Sequence, residues 1–287
     1  MIKNFIYFFE FILIKILFFI FSIIGYKNSS NLGYLIGKKF GPLFRPLSKI
    51  KNNLIEAKID EKNNLGLIAN NVLGNYGRIF SEYVFIKNFR NGKLDKYISV
   101  NGTEYLNEII EKKKRVVFVS GHFNNFELMA MQLDKYGINL AAIYRPLNNI
   151  FLNKTMEKIR TKFICKKQIK KGRSGSRELI KNFNNGTSIA LMIDQRVREG
   201  IHVPFFQKSC PTTSIPAQLV KKYACEVVPV YIERKKDTFF EMTISKPILF
   251  DKEMSIIDIT TRLNEILEKM ILKNIDQWIW THNRWQK

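Results

Sequence analysis

The stretch Arg115-Val-Val-Phe-Val-Ser-Gly-His-Phe-Asn-Asn-Phe-Glu127 reads as a buried strand, a glycine turn and the start of a helix. A short β-branched run bounded by a turn residue marks the strand. In an open α/β sheet, ligands gather where the strands exit at their carboxyl ends, so His122 stands at the position where chemistry is expected. Other strand-like runs follow at Leu140 to Ile143, Ser188 to Ile193 and Val227 to Ile232, and Phe239 to Ser245 adds an antiparallel candidate. Helical spacing lies between them, over Asn125 to Tyr136, Ile150 to Phe163, Ser176 to Phe183, Ile215 to Tyr223 and Ser255 to Ile275. The alternation predicts an α/β protein with a mixed sheet flanked by helices. Between residues 50 and 90, apolar residues from Leu54 to Tyr76 recur at three or four, predicting one or two amphipathic helices that serve packing and not chemistry.

Outward from this core, Phe5 to Tyr26 reads FIYFFEFILIKILFFIFSIIGY. About 20 apolar residues are what a helix needs to cross a hydrocarbon layer of about 30 Å. Glu10 and Lys15 interrupt the run, which therefore suits a shallow or tilted anchor as well as a clean span. No small-x-small cleavage motif follows it. The expected organisation is a membrane anchor over residues 1–27 and a single domain over 28–287. Lys27, Lys38, Lys39 and Arg45 just after the anchor keep the body on the cytoplasmic side.

The chain carries 47 Lys and Arg against 25 Asp and Glu, a balance that favours anionic partners. The basic residues are scattered and mostly Lys, without a zinc-finger spacing or an aromatic-glycine RNA motif, so membrane lipid or an acidic carrier is expected and nucleic acid is not. Cys165, Cys210 and Cys225 are odd in number and far apart, which suggests buried thiols in a reducing compartment.

His122 and Glu127 are the candidate catalytic pair. A carboxylate on one imidazole nitrogen fixes the tautomer and leaves the other nitrogen to take a proton from a hydroxyl. Five steps along one regular helix would separate the two residues, so His122 has to sit in the turn. The competing reading makes His122 a helix cap and Glu127 a solvated acid. His202 and His282 are expected in loop and packing roles. There is no G-x-S-x-G elbow and no H-E-x-x-H; no cofactor and no metal are called for.

Beyond this turn, the residues follow a known order: Tyr144-Arg145-Pro146 with Asn148-Asn149, Arg160, Lys171-Gly172-Arg173, Asn185-Gly186, Ile193-Asp194-Gln195, Pro204-Phe205-Phe206 with Thr212-Thr213, Val228-Pro229-Val230, and the terminal Trp280-Thr-His-Asn-Arg-Trp285. The chain resembles the lipid A late acyltransferases over most of its length. It departs from them in His-Phe-Asn-Asn-Phe-Glu, where many members carry Gly or Thr and then Trp or Leu, and in Gln207 after Phe206. The resemblance implies a glycerolipid-acyltransferase-like fold at the cytoplasmic face of the inner membrane. It implies an acyl carrier protein or coenzyme A thioester as donor and a lipid A precursor as acceptor. It implies His122 as base and Glu127 as its orienting partner, with Arg160 and Asp194 in or beside the site. Arg145 and Arg173 are further anion binders. Another glycolipid or phospholipid acceptor, or a non-catalytic membrane-surface protein, are the alternatives. Lys112 to Arg115 and Lys166 to Lys171 are expected to dock the carrier or headgroups.

Overall fold

A computed structural model describes residues 2–285. Five helices come first: α1 (Ile2–Ile24), α2 (Tyr26–Phe44), α3 (Leu47–Glu56), α4 (Leu65–Glu82) and α5 (Ile86–Arg90). The α/β part then runs β1 (Ile98–Asn101), α6 (Thr103–Glu111), β2 (Val117–Ser120), α7 (Glu127–Lys135), β3 (Leu140–Tyr144), α8 (Ile150–Ile159), β4 (Lys167–Lys170), α9 (Arg173–Asn184) and β5 (Ser188–Met192). A hairpin, β6 (Ile201–Phe205) and β7 (Lys208–Thr212), precedes α10 (Ile215–Tyr223), β8 (Val227–Lys236), β9 (Phe239–Ile244) and α11 (Ile256–Lys273).

Seven strands form one mixed sheet in the order β1-β9-β8-β2-β5-β3-β4. The five strands from β8 to β4 are mutually parallel, β9 runs against β8, and β1 is parallel to β9. β2 lies inside the sheet with all four residues buried, as its unbroken apolar run requires. The α/β expectation holds, and the predicted strands and helices in the α/β part are found within a few residues of their expected ends. Outside the sequence reading lie the edge strands β1 and β4, the β6–β7 hairpin, and the helices α2 and α6. Edge strands carry charged residues on purpose to block further pairing, and Lys167-Gln-Ile-Lys170 buries only Ile169, too weak a pattern to read.

The helical layer is held by close backbone contact. α2 crosses α4 where Gly33 and Gly37 meet Leu73, Gly74 and Gly77. A Cβ on Gly77 would fall 1.9 Å from the Gly33 carbonyl oxygen, so the helices can approach only because neither residue has a side chain. Gly77→Ala is expected to force them apart and cost at least about 1–3 kcal/mol, the range for overpacking a tight interior; urea denaturation in detergent measures it.

α1 is apolar but not isolated. Phe8 and Phe11 pack on Phe151 of α8, and Phe18 and Phe21 pack on Phe80 of α4. Glu10, the acid inside the apolar run, accepts a hydrogen bond of 3.0 Å from the Asn149 side chain, which also donates to the Tyr7 carbonyl at 2.8 Å.

Candidate active site

The site is made by strand register. β2 and β5 are adjacent and parallel, with Ser120 opposite Met192, and the Ile193 N–H donates to the Ser120 carbonyl at 2.9 Å. Two residues further along each chain, His122 and Asp194 come side by side. The Asp194 carboxylate meets His122 Nδ1 at 2.8 Å and accepts the His122 backbone N–H at 2.7 Å. Its Oδ2 also accepts the Trp278 indole N–H at 2.9 Å.

Asp194 is fully buried. Burial by itself would raise its carboxyl, but the imidazole and backbone N–H of His122 and the Trp278 indole together hold it below the ordinary Asp value. An ionised Asp194 fixes the proton of a neutral imidazole on Nδ1 and leaves Nε2 as the acceptor nitrogen. The ring is one-fifth exposed, with Phe126 edge-on at 4.7 Å. It borders a narrow cavity of about 20 Å³, room for one water-sized group. Val72, Asn75, Tyr76 and Ile79 of α4 form one wall and residues 276–279 the other. α4 is therefore part of the site and not packing alone, a correction to the sequence reading. A larger open groove along α9 is lined by Ser176, Arg177, Ile180 and Lys181 and reaches none of these groups.

The loop after β2 is clamped. Asn124, at φ +41°, donates its backbone N–H to the Gln277 carbonyl at 3.1 Å and its side-chain amide to Gln277 Oε1 at 2.6 Å. Asn125 donates to Glu82 at 3.3 Å. Such support fixes a reacting group without reorganisation at the moment of reaction.

Glu127 begins α7 and takes a different partner from the one expected. Its Oε1 accepts Nε of Arg160 at 2.8 Å and also NH2 of the same guanidinium. The carboxylate oriented on His122 is that of Asp194, where the sequence reading put Glu127. The helix geometry that separates residues five apart points Glu127 at α8, while strand register delivers Asp194. Arg160 opens a five-residue π-helical turn, Arg160–Ile164, a distortion frequent at functional sites. Its guanidinium lies 5.6 Å from the Tyr144 ring centre.

Arg145 follows β3 at the same carboxyl edge of the sheet. Lys171, after β4, donates its backbone N–H to the Tyr144 carbonyl at 2.9 Å. Burial, and then the positive charge of Arg145, lower the Lys171 ammonium below the ordinary Lys value, so the two cations are neighbours. The Arg173 side chain lies outside the described residues. His202 is exposed on β6.

His282 packs beneath the site. Its Nε2 accepts the Arg196 backbone N–H at 3.0 Å. Burial, followed by smaller opposing charges, pushes it down to about 4. The folded state therefore holds a neutral ring while the unfolded chain takes up a proton below about pH 6.5. Stability is present above that pH and is lost as pH falls from 6.5 towards 4, by an order of 2–3 kcal/mol. Thermal denaturation across that window should show the loss, and His282→Gln should flatten it.

The Lys112 to Arg115 cluster lies away from the site. It precedes β2, at the amino edge of the sheet, opposite His122. Lys112 and Lys114 pair with Glu108, Lys114 also with Glu226, and Arg115 donates to the Phe183 carbonyl and stacks on Phe183 and Tyr223. Lys167 is likewise engaged, with Asn139 and Thr187. Of the second run, Lys171 reaches the carboxyl edge.

The fold and the His–Asp turn define an α/β protein poised for acid–base chemistry at the carboxyl edge of a parallel sheet. Residues 2–287 match the family described as bacterial lipid A biosynthesis acyltransferase, and the chain belongs to that family. It is 28% identical over 203 residues to a lipid A biosynthesis acyltransferase of Haemophilus influenzae, an alignment that covers 68% of this chain and 63% of the relative. A crystal structure of the 1-acyl-sn-glycerophosphate acyltransferase PlsC from Thermotoga maritima superposes with a TM-score of 0.43 at 14% identity, covering 98% of this chain and all of that one.

Proposed function

We propose that this protein transfers a fatty acyl chain from a thioester, carried by acyl carrier protein or coenzyme A, to a hydroxyl of a lipid A precursor. The observation that carries this reading is the His122–Asp194 pair, built at a sheet edge in a chain of this family. His122 Nε2 takes the proton of the acceptor hydroxyl as its oxygen attacks the thioester carbonyl. The oxyanion that forms collapses, the C–S bond breaks, and the imidazolium returns its proton to the departing thiolate. Asp194 holds the tautomer and stabilises the imidazolium. Arg160, set in place by Glu127, supplies positive charge to the oxyanion or to a phosphate of the acceptor. Arg145, with Lys171 beside it, is the anion contact at the outer end of the same edge, and Arg173 follows in the sequence. The chain works as an N-terminal anchor, residues 1–27, and an acyltransferase domain, residues 28–287, on the cytoplasmic face of the inner membrane. The exposed apolar face of α1 supports the anchoring.

The test is mass spectrometry of lipid extracts from cells lacking their own late acyltransferase. The wild-type chain should add one acyl mass to lipid A, and His122→Ala should not. A gain on another glycolipid or phospholipid would move the acceptor and keep the reaction; no gain on any lipid would leave a non-catalytic membrane-surface protein.

A further inference from the structure

We infer that α1 lies along the protein body within one leaflet of the bilayer, with its N-terminus on the same side as the catalytic domain, and does not cross the membrane. The inference rests on the membrane association proposed above and specifies its geometry.

Two faces of α1 have different surroundings. Phe5, Phe9, Leu13, Ile16, Ile20 and Ile23 recur at three and four and are exposed, forming one continuous apolar stripe. The opposite face is occupied by protein. Tyr7, Glu10 and Phe11 meet Asn149 and Phe151, and Phe18 and Phe21 meet Phe80, with Phe18 also stacked on Tyr83. Tyr7 to Phe21 is 14 steps, about 21 Å of helix at 1.5 Å per residue.

A helix that crosses a hydrocarbon core of about 30 Å meets lipid or other apolar helices along that length. Here, most of that length is covered on one side by α8, α4 and the turn after α4. A transverse α1 would carry these elements into the bilayer with it, and they continue into Glu82, Arg160 and the sheet. Laid flat, the same helix puts its stripe into the acyl region and keeps the body out of it. Glu10 fits the flat arrangement: it is exposed beside the stripe with its carboxylate hydrogen-bonded to Asn149, and a carboxylate carried to the bilayer centre would cost a few kcal/mol.

The neighbours of α1 extend the same surface. Leu147 and Ile150, on either side of Asn149, are exposed, as are Leu32, Leu35 and Leu43 on α2. Lys15 on α1 and Lys39 on α2 are exposed too, and their stems let the ammonium groups reach anionic headgroups. Interfacial helices have this make-up, one apolar face with basic residues near its border. The arrangement also places lipid close to the chemistry. Phe18 stacks on Tyr83, which directly follows Glu82, the acid that accepts from Asn125 of the His122 loop.

The test uses the full chain with a short protease-cleavable extension at each end, in sealed inner-membrane vesicles of both orientations. The expected result is that both extensions are cut in the same vesicle orientation and protected in the other. Cleavage of the N-terminal extension only in the orientation that protects the C-terminal one means that α1 crosses, and overturns the inference. Recovery of the chain outside the vesicles would remove the membrane reading itself. No outcome depends on acyl transfer, so loss of the proposed activity is read separately.

Discussion

Asp194→Asn is expected to lower the rate of acyl transfer by about 10³–10⁴, with the fold retained. The size follows from tautomer control. Asp194 accepts from Nδ1 of His122 and from its backbone N–H, and the indole of Trp278 fixes the same carboxylate. An amide in that place turns a donor towards Nδ1, moves the ring proton to Nε2, and removes the base from the hydroxyl; in a Ser-His-Asp hydrolase the same change costs about 10⁴. Glu127→Gln keeps an oxygen for Arg160 and removes only charge, so a loss of about 10-fold to 100-fold is expected. The two variants, assayed with an acyl thioester and a lipid acceptor at equal folded protein, decide between pairings. A larger loss from Glu127→Gln than from Asp194→Asn would return the orienting role to Glu127.

Glu82→Ala should destabilise the protein by about 3–5 kcal/mol, the cost of leaving a buried charge without its partner. Glu82 is 0% exposed and Arg234 is 5% exposed, and the guanidinium meets both carboxylate oxygens, at 2.7 and 3.0 Å. Ser30 of α2 donates to Glu82 at 2.6 Å and receives Arg78 at 2.8 Å. Removal of one carboxylate therefore leaves two buried guanidinium groups, Arg234 and Arg78, without their main counter-charge. Because Asn125 of the His122 loop donates to the same acid, activity should fall together with stability. Replacing both Glu82 and Arg234 by Met should recover much of the loss, since it removes the unpaired Arg234 guanidinium and leaves Arg78 its contact with Asp237. Equal destabilisation by the single and double changes in urea denaturation would show that the pair itself is not the source.

The same charge logic accounts for what the sequence hid. Glu82 and Arg234 lie 152 positions apart in unremarkable helical and strand patterns, and nothing local marks either as buried. Gln277 and Trp278, which hold the loop and Asp194, fall in a short segment after α11 with no motif of its own. Trp280, His282 and Trp285, conspicuous in the sequence, prove to be packing. The lysine run before β2 looked like a docking patch, and its place at the amino edge follows from strand direction, which a count of charges does not contain.

The sequence by itself determined the α/β pattern, because burial of a parallel strand demands an unbroken apolar run and a surface helix demands a repeat near 3.6. It determined that His122 leaves a strand through a glycine, and that α1 is apolar over a membrane-scale length. The tertiary structure alone decided which carboxylate serves His122. Glu127 is near in sequence but is turned towards Arg160 by the helix it begins; Asp194 is 72 residues away and arrives through the register of two neighbouring strands. Likewise, the pairing of Glu10 with Asn149 came only from the packing of α1 on α8. Local periodicity fixes which face of an element is apolar, whereas pairing across a sheet or between helices depends on contacts that no local pattern encodes.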